Sequence, residues 1–387
     1  MRVTLVISTF GAGGAERVMA AMANHWAEHG REVTLITLAS AREDFYALNP
    51  RIKRIGLEAA GVSSNIAAAV WNNLQRLKRL RQEIRASRPD IVLSFIDKGN
   101  VLTLAATLAL RIPVVVSERI DPQYHDIGSL WGWLRRVFYP QAAALVVQTD
   151  GLRDWAERIV KSHAVHVIPN PVKPMLNGDA HVSGFQGNGC RAVAMGRLVT
   201  QKGFDLLLRA FAQCAAKHAG WSLIIAGEGP ERTHLETLAS DLGIRDRVRL
   251  VGVVQEPFSV LRGADLFVMS SRYEGFPNAL LEAMACGCAV ISTDCSSGPR
   301  DIIRDGIDGV LVRPDDVDSL AAAMDRLMGD QVARRGLEKR ATEVSERFST
   351  EKVMKMWDNL FLSILSGPPM ADSRVQQGED RQIRKAL

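Results

Sequence analysis

The stretch DLFVMSSRYEGFPNALLEAMA, residues 265–285, predicts a strand, a loop and a helix in immediate succession. It begins with a largely apolar run of strand length, and Pro277 followed by Asn278 is typical of a helix start. Glu274 is therefore expected in the loop at the carboxyl end of the strand, and Glu282 one turn into the helix. Between them lie the free N–H groups of a helix N-terminus, which favour an anion. The unit predicts a site for a ligand with a central phosphate and hydroxyl groups on either side.

Short apolar runs alternate with amphipathic stretches along the whole chain. Strands are predicted at residues 3–8, 32–37, 91–95, 114–117, 144–148, 192–195, 222–226, 248–251, 266–269, 290–293 and 310–312. Helical patterns lie between them, for example at residues 16–29, 205–218 and 320–328. This alternation is typical of doubly wound parallel sheets, and eleven strands are too many for one ordinary sheet of this type. The sequence therefore predicts an α/β fold with two Rossmann-like sheets.

The break between the two sheets is expected near residue 170, in a proline-rich segment. A stretch rich in glycine and asparagine follows at residues 176–189 and is typical of a linker. The predicted units are a first domain at 1–170, a second at 171–349, a final helix at 350–366 and a polar, disordered tail at 367–387. Ligands of such sheets bind outside the carboxyl ends of the strands, so two facing sheets would form one cleft.

The composition is that of a soluble globular protein. Of 387 residues, 24% are charged and 47% hydrophobic, and the formal net charge is +5. Five cysteines without a C-x-x-C pair argue against a zinc site and against a full disulfide framework. No apolar run reaches the ~18 residues needed to cross a bilayer, and no signal peptide precedes the first predicted strand. We expect a cytoplasmic protein.

Four blocks of the sequence occur in an order known from one enzyme family. The spacing of Glu274 and Glu282 resembles the E-x7-E motif of the retaining glycosyltransferases of family 4, although either glutamate alone is also compatible with an exposed surface residue. The segments GGAERV (13–18) and GRLVTQKG (196–203) resemble the N-terminal loop and the phosphate-binding segment of that family. Residues 285–303 resemble the strand and turn after its motif. The resemblance implies the GT-B fold, with a last helix that crosses back to the first domain.

The donor side of the predicted cleft contains two cations in one loop. Arg197 and Lys202 together can hold a diphosphate, and an ordinary basic loop is the alternative. The resemblance implies that both are catalytic with Glu274, which would contact the transferred sugar, while Glu282 would bind the ribose of a UDP-sugar. The complete set predicted to bind the nucleotide sugar is Gly13, Gly14, Gly196, Arg197, Lys202, Gly227, Glu228, Gly252, Val253, Phe276, Pro277, Asn278, Ala279, Leu280 and Glu282.

An Asp-x-Asp pair at residues 316–318 could hold a divalent metal ion on a diphosphate. The pair precedes Ser319 and a helical run, however, so capping of a helix N-terminus is the favoured interpretation. With two cations available at the predicted diphosphate site, we predict transfer that needs neither a metal ion nor another cofactor.

The segment SERIDP, residues 117–122, ends another predicted strand of the first domain. Glu118, Arg119 and Asp121 are candidates for contacts to the acceptor, and a salt bridge within the loop is the alternative. Many members of the family place a histidine in this region, where this chain has Glu118. The sequence therefore leaves open which group activates the acceptor.

Residues 66–88 predict an amphipathic helix with six basic residues and one acidic residue. Its predicted apolar face consists of Val70, Leu74, Leu77 and Ile84. Its basic stripe includes Lys78, Arg81 and Arg85, and these residues are predicted to bind the acceptor. The stripe suits an anionic membrane surface or the pyrophosphate of a lipid-linked acceptor, and a solvated helix face is the alternative.

A second segment mixes aromatic and basic residues close to the predicted acceptor loop. Its members are Trp131, Trp133, Arg135, Arg136, Phe138 and Tyr139. The mixture suits the headgroup region of a membrane, and packing beneath a loop is the alternative. Nucleic acid is a poor candidate partner because the basic residues lie on one helix without a nucleic-acid-binding motif.

These observations converge on a peripheral enzyme at the inner face of the cell membrane. The resemblance implies transfer of a hexose or N-acetylhexosamine from a UDP-sugar to a glycan linked to polyprenyl diphosphate, in surface polysaccharide or glycoprotein biosynthesis. A UDP-sugar epimerase of the same architecture is one alternative. An NAD-dependent oxidoreductase is disfavoured, because neither first strand-to-helix turn has the full glycine fingerprint.

Overall fold

The computed structural model describes residues 1–58, 66–172 and 189–367, and for residues 66–70 it describes the backbone alone. Within these ranges the chain forms two parallel sheets that are flanked by helices. This arrangement confirms the α/β class and the two Rossmann-like sheets. The predicted linker at 176–189 and the predicted tail at 367–387 lie outside the described residues, apart from one glycine at an end of each.

The N-terminal sheet has seven parallel strands among the described residues, in the spatial order β3-β2-β1-β4-β5-β6-β7. They are β1 (Arg2–Ile7), β2 (Glu32–Thr37), β3 (Lys53–Gly56), β4 (Ile91–Phe95), β5 (Val114–Ser117), β6 (Ala144–Val147) and β7 (Val165–Val167). The order reverses between β1 and β4. Ligands of open α/β sheets bind beyond the carboxyl ends of the strands at such a switch point.

Helices cover both faces of this sheet. They are α1 (Gly14–Glu28), α2 (Ile66–Ser87), α3 (Asp97–Thr107), α4 (Ser129–Phe138) and α5 (Arg153–Glu157). On one face, α1 contributes the fully buried Trp26 to the core. On the other face, α2, α3 and α4 pack together against the sheet, with Leu80 and Leu104 in a second core cluster.

The C-terminal sheet has six described parallel strands in the order β10-β9-β8-β11-β12-β13. They are β8 (Cys190–Met195), β9 (Trp221–Ala226), β10 (Val248–Leu250), β11 (Leu266–Met269), β12 (Ala289–Thr293) and β13 (Val310–Val312). Its helices are α6 (Phe204–Ala215), α7 (Arg232–Asp241), α8 (Pro257–Leu261), α9 (Asn278–Ala285), α10 (Pro299–Ile302), α11 (Val317–Gly329), α12 (Gln331–Ala341) and α13 (Val344–Arg347). The switch point of this sheet lies between β8 and β11.

The last described helix, α14 (Thr350–Leu365), packs on the N-terminal domain. Its Trp357 is fully buried beside Phe95, with ring centroids 6.4 Å apart. The indole Nε1 of Trp26 donates a hydrogen bond to Asp358 Oδ1 at 3.0 Å. Because truncation of a buried tryptophan typically costs about 3–5 kcal/mol, this contact anchors α14 to the first domain.

Two strands, β3 and β7, were not predicted from the sequence. Both lie at the outer edges of the N-terminal sheet, and their sequences are the short segments KRIG and VHV. Edge strands of this kind are short and carry charged or polar side chains, which discourages pairing with other chains. They therefore lack the continuous apolar run that marks the buried central strands.

Candidate active site

Helix α9 begins just beyond the carboxyl end of β11, beside the switch point of the C-terminal sheet. The N–H of Leu281 donates to the carbonyl oxygen of Pro277 at 3.2 Å. The N–H groups of Asn278, Ala279 and Leu280 precede this bond, so no earlier helical turn offers them an acceptor. The helix dipole adds partial positive charge at the same end. The backbone thus leaves three N–H donors free at the start of α9, and their binding of an anion stays a prediction.

Glu274 lies in the loop that precedes α9, and only 6% of its surface is exposed. Its Oε1 accepts hydrogen bonds from Lys202 Nζ at 2.6 Å and from Ser271 Oγ at 2.6 Å. Lys202 comes from the loop after β8, so the switch point brings two predicted catalytic residues into direct contact. Hydrogen bonds between ionised groups are short and strong when water is largely excluded, so each residue fixes the other.

Glycines allow the loops after β8, β9 and β10 to lie against one another. A Cβ atom on Gly227 would overlap the carbonyl oxygen of Gly196, so only glycine fits at this position. The N–H of Gly227 in turn donates to the carbonyl oxygen of Gly252 at 2.8 Å. Arg197 is exposed on this surface and makes no side-chain hydrogen bond or ion pair with any described residue. Its guanidinium is therefore available to a ligand.

Two other predicted donor-binding residues border these loops. Glu228 Oε1 accepts a hydrogen bond from Arg232 Nη2 at 2.6 Å, so its charge is already neutralised by a neighbour. Val253 is 52% exposed beside Gly252. An exposed valine offers an apolar surface to a flat ring, whereas Glu228 would first have to leave Arg232.

Glu282 lies one turn into α9 and reaches the N-terminal domain. Its Oε1 accepts from Arg17 Nη2 at 2.7 Å, which joins α9 to α1 across the cleft. Its Oε2 is buried without a hydrogen-bond partner among the described residues. Burial raises the pKa of Glu282 to about 7, against the lowering effect of Arg17. Because a buried polar atom normally has a partner, the free oxygen is a natural acceptor for a ligand hydroxyl.

The side chain of Asn278 also joins the two domains. Its Nδ2 donates to the carbonyl oxygen of Gly14 at 3.0 Å, and its Oδ1 accepts from Asn170 Nδ2 at 2.6 Å. Gly14 is the first residue of α1, and Gly13 caps that helix. The N-terminal glycine loop therefore lies against the start of α9, and contact of Gly13 and Gly14 with the donor stays a prediction.

Phe276 is a correction to the predicted donor set. Its ring is 6% exposed and packs edge-on against Phe348 in the core of the C-terminal domain, with centroids 5.5 Å apart. Its carbonyl oxygen accepts from Asn170 Nδ2 at 3.3 Å. The neighbouring Pro277 has no N–H and forms the N-cap of α9. Both residues shape the loop, and the Phe276 side chain points away from the cleft.

Glu118 is the first correction on the acceptor side. It is 1% exposed, and its Oε1 accepts from the Tyr139 hydroxyl at 2.5 Å and lies 3.5 Å from Arg135 Nη1. Burial, together with the negative charge of Asp97, raises the pKa of Glu118 to about 7. A side chain enclosed in this way cannot contact an acceptor directly.

Arg119 and Asp121 also have partners within the protein. Arg119 Nη1 donates to Asn170 Oδ1 at 2.7 Å, and its guanidinium lies 3.6 Å from the centre of the Phe95 ring. Burial lowers the pKa of Arg119 to about 9. Asp121 Oδ2 accepts from Ser296 Oγ of the other domain at 2.8 Å. Both side chains therefore hold the hinge and the domain interface, contrary to the predicted acceptor contacts.

Only part of the predicted basic stripe on α2 is free to meet a ligand or a membrane. Lys78 and Arg85 are exposed to solvent. Arg81 Nη1 instead donates to the carbonyl oxygens of Ala106 and Leu108, at 2.8 and 2.7 Å. These are orphan carbonyls at the end of α3, so Arg81 caps a helix C-terminus.

The predicted apolar face of α2 is partly wrong. Ile84 is buried and Leu77 packs against the same core, as expected, but Leu74 is 54% exposed. Leu80, which the prediction omitted, is buried instead. The side chain of Val70 lies outside the described residues. The true buried stripe therefore starts later in the helix.

The mixed aromatic and basic segment formed by α4 and its C-cap Tyr139 is likewise partly buried and partly exposed. Tyr139 is fully buried, Trp131 and Phe138 pack partly against the core, and Arg135 faces Glu118. Trp133 and Arg136 remain exposed. Packing beneath a loop is therefore correct for most of the segment, and only two of its members can meet a partner.

The Asp-x-Asp pair caps a helix, as predicted. Asp316 Oδ1 accepts from the N–H of Ser319 at 2.9 Å at the start of α11. Across the ranges that the structure describes, no group of three or more His, Cys, Asp or Glu side chains is arranged to hold a metal ion.

Three residues that build the site, Arg17, Ser271 and Asn170, were not predicted from the sequence. Arg17 lies within the quoted N-terminal block, but nothing in that block indicates a partner in the other domain. Ser271 and Asn170 are small polar residues in loops, where such residues are common. Ser271 contacts Glu274 within one loop, whereas the contact of Asn170 with Asn278 becomes visible only once the two domains are placed together.

Glycosyltransferase family models match both halves of the chain. Residues 12–175 match the family model described as Glycosyltransferase Family 4, and residues 181–344 match the model described as Glycosyl transferases group 1. In fold, the chain resembles HepE of Anabaena, crystallised in complex with UDP and glucose, with a TM-score of 0.78. That similarity covers 93% of this chain and 98% of HepE at 17% identity, so it concerns the fold alone.

Two curated relatives are more similar in sequence. An exopolysaccharide phosphotransferase of Streptomyces coelicolor is 29% identical over 95% of this chain, which spans only 41% of that protein. A Campylobacter jejuni α-1,4-N-acetyl-D-galactosaminyltransferase, named for an acceptor on undecaprenyl diphosphate, is 28% identical over 94% of this chain and 99% of its own length.

In the described residues, no helix has both the length and the hydrophobicity of a membrane span. The sheets, the cleft and the two family matches make this chain a glycosyltransferase of the GT-B fold that belongs to glycosyltransferase family 4.

Proposed function

We propose that this glycosyltransferase moves a hexose or N-acetylhexosamine from a UDP-sugar to a glycan, with retention of configuration. The observation that carries the proposal is the position of Glu274 and Glu282 on either side of the N–H groups that open α9. A diphosphate on those groups would place the ribose beside Glu282 and the sugar beside Glu274. The UDP and glucose bound to the Anabaena protein support a uridine nucleotide as donor.

Positive charge for the leaving diphosphate would come from Arg197 and Lys202. Arginine offers a forked set of donors, and lysine offers a compact charge. Positioned charges of this kind stabilise the negative charge that develops on the phosphate in the transition state. We therefore propose that transfer requires no metal ion or other cofactor.

The proposed transfer takes place on one face of the sugar. An acceptor oxygen bonds to the anomeric carbon while the bond from that carbon to the phosphate breaks. The electron pair of the broken bond stays with UDP, and the departing phosphate takes the proton of the acceptor hydroxyl. Glu274 would position the sugar and stabilise its positive charge, so the Lys202–Glu274 ion pair must exchange partners when the donor binds.

The proposed acceptor is a glycan on polyprenyl diphosphate, used in surface polysaccharide or glycoprotein biosynthesis at the cytoplasmic face of the membrane. The Campylobacter relative is named for such an acceptor, and the alignment covers nearly all of both chains. An epimerase of the same architecture would alter the UDP-sugar without any acceptor. A transfer assay therefore separates the two functions.

UDP at 100 times its dissociation constant is expected to stabilise the protein by about 2.7 kcal/mol, with EDTA present. GDP, ADP and NAD at equal concentration should stabilise it less. Thermal unfolding measures binding of each nucleotide. Transfer is then assayed with UDP-glucose, UDP-galactose and their N-acetyl forms as donors. The acceptor in this assay is a polyprenyl diphosphate that carries one N-acetylhexosamine. Stabilisation by GDP or ADP alone would contradict UDP as the donor nucleotide. An effect of UDP that requires magnesium would contradict the proposal that transfer needs no metal ion.

We also propose that helices α2 and α4 contact an anionic membrane surface. They share one face of the N-terminal sheet, and each exposes large apolar side chains. Trp71 is 63% exposed on α2, and Trp133 is 59% exposed on α4. Exposed tryptophan is typical of headgroup interfaces. The exposed cations Lys78 and Arg85 on α2 add attraction to acidic lipids.

Replacing Lys78 and Arg85 with glutamine is expected to weaken binding to vesicles rich in phosphatidylglycerol about 30-fold. Each cation near an anionic surface contributes about 1 kcal/mol, and 1.4 kcal/mol corresponds to a factor of ten. Sedimentation with vesicles measures the effect. The matched control replaces Arg335 and Lys339, which are exposed on α12 of the other domain. Equal losses in both double variants would contradict a defined membrane surface.

A further inference from the structure

Asp97 and His125 form a pair on the acceptor side that the proposed donor site does not use. Asp97 opens α3 at the carboxyl end of β4, next to the switch point of the N-terminal sheet. Its Oδ2 lies 3.3 Å from His125 Nε2, and its Oδ1 accepts from the N–H of Lys98 at 2.5 Å. Both carboxylate oxygens are thus occupied, and the imidazole is held by one nitrogen.

The backbone at this point is strained. Ile96, which precedes Asp97, has a φ of +71°. A β-branched residue with positive φ is a rare outlier, and such outliers persist where the surroundings enforce them, often at functional sites. The strain directs the chain from the end of β4 into α3 so that Asp97 is the first helical residue.

The loop that carries His125 is docked against the loop that carries Glu274. The ring of Tyr124 stacks on the ring of Tyr273 of the other domain, with centroids 5.7 Å apart and planes at 14°. Tyr273 directly precedes Glu274. The contact therefore brings the residue beside His125 to the edge of the predicted sugar site.

The side chain of His125 is partly exposed, unlike that of Glu118, the residue at the predicted position. Its side chain is 40% exposed, whereas the side chain of Glu118 is completely enclosed. The hydrogen bond to Asp97 raises the pKa of His125, against burial, with Glu118 adding to the rise and Lys98 opposing it. When the ring is protonated and Nε2 faces Asp97, Nδ1–H is the donor that remains for a ligand.

We propose that His125, oriented by Asp97, contacts the acceptor in the cleft and donates a hydrogen bond from Nδ1 to an acceptor oxygen. The inference rests on the proposed transfer to a glycan and identifies an acceptor contact in place of Glu118. His125 binds and orients the acceptor, and the leaving phosphate still takes the proton of the reacting hydroxyl.

The variant H125A is expected to raise KM at least tenfold for polyprenyl diphosphate carrying one N-acetylhexosamine. Hydrolysis of the UDP-sugar by water, measured without acceptor, should remain within about twofold of wild type, as should stabilisation by UDP. An unchanged acceptor KM would overturn the proposal, and so would an equal loss of hydrolysis, which a merely structural role would cause.

The pH profile gives a second, independent readout. The acceptor KM of wild type should rise as pH increases through the pKa of His125, and H125N, which keeps a donor near the Nδ1 position without titrating, should give a flat profile at intermediate KM. D97N should shift the wild-type rise to lower pH. A rise that persists in H125N would overturn the assignment. A wild-type protein without UDP binding or transfer would instead refute the proposed function, on which this inference depends.

Discussion

Glutamine in place of Glu274 is expected to lower kcat for transfer by about 10²–10³-fold, while UDP still stabilises the protein against unfolding. The variant keeps the size of the side chain and an oxygen that can accept from Ser271, but it removes the charge that faces Lys202. Loss of one positioned group that acts on the transition state typically has an effect of this size. Steady-state kinetics with the UDP-sugar and thermal unfolding with UDP give the two measurements.

The matched control is Glu346→Gln, which removes an exposed carboxylate on α13 of the same domain and should leave kcat unchanged. Lys202→Ala should also reduce kcat, and the double variant should lose less than the product of the two single losses. Residues in direct contact show such non-additivity, as expected for the 2.6 Å ion pair. Wild-type rates in Glu274→Gln, or equal loss of UDP binding, would refute a role on the transferred sugar.

The central strands could be predicted because parallel strands that are buried on both faces consist almost entirely of apolar residues. The strand β11, Leu266–Met269, is an example, and all four of its residues are buried. The edge strands β3 and β7 could not be predicted in this way. Each is three or four residues long and partly exposed. Their sequences therefore lack the continuous apolar run from which a buried strand is predicted.

The donor side was more predictable than the acceptor side because its key residues lie in one strand–loop–helix unit. Glu274 and Glu282 are eight positions apart, so local geometry alone places both beside the start of α9. The acceptor side depends instead on distant partners. Their separations along the chain are 21 residues for Glu118 and Tyr139, 51 for Arg119 and Asn170, and 175 for Asp121 and Ser296.

That difference has a physical cause. A charged side chain after a strand can face the cleft, the hinge or the other domain, and the choice depends on which polar groups the tertiary structure offers. Asn170 accepts from Arg119 and also donates to the loop and helix start of the other domain. Since the sequence near Arg119 contains no sign of that arrangement, its orientation follows only from the assembled domains.

The affinity of UDP is expected to increase up to about tenfold between pH 6 and pH 8, because Glu282 becomes ionised over this range. Its pKa is raised to about 7, so the carboxyl group is mostly protonated at pH 6 and mostly charged at pH 8. A charged carboxylate accepts hydrogen bonds from ribose hydroxyls more strongly than the neutral acid does. Titration calorimetry across this pH range measures the change.

The comparison that isolates this effect is Glu282→Gln, whose pH profile reports the titration of the UDP phosphate alone. The difference between the two profiles should disappear at low pH and grow as pH rises through 7. Arg17→Gln provides the complementary test: since the guanidinium lowers the pKa of Glu282, its removal should move the wild-type midpoint to higher pH. Parallel profiles for wild type and Glu282→Gln would mean that the carboxylate of Glu282 does not face the ribose.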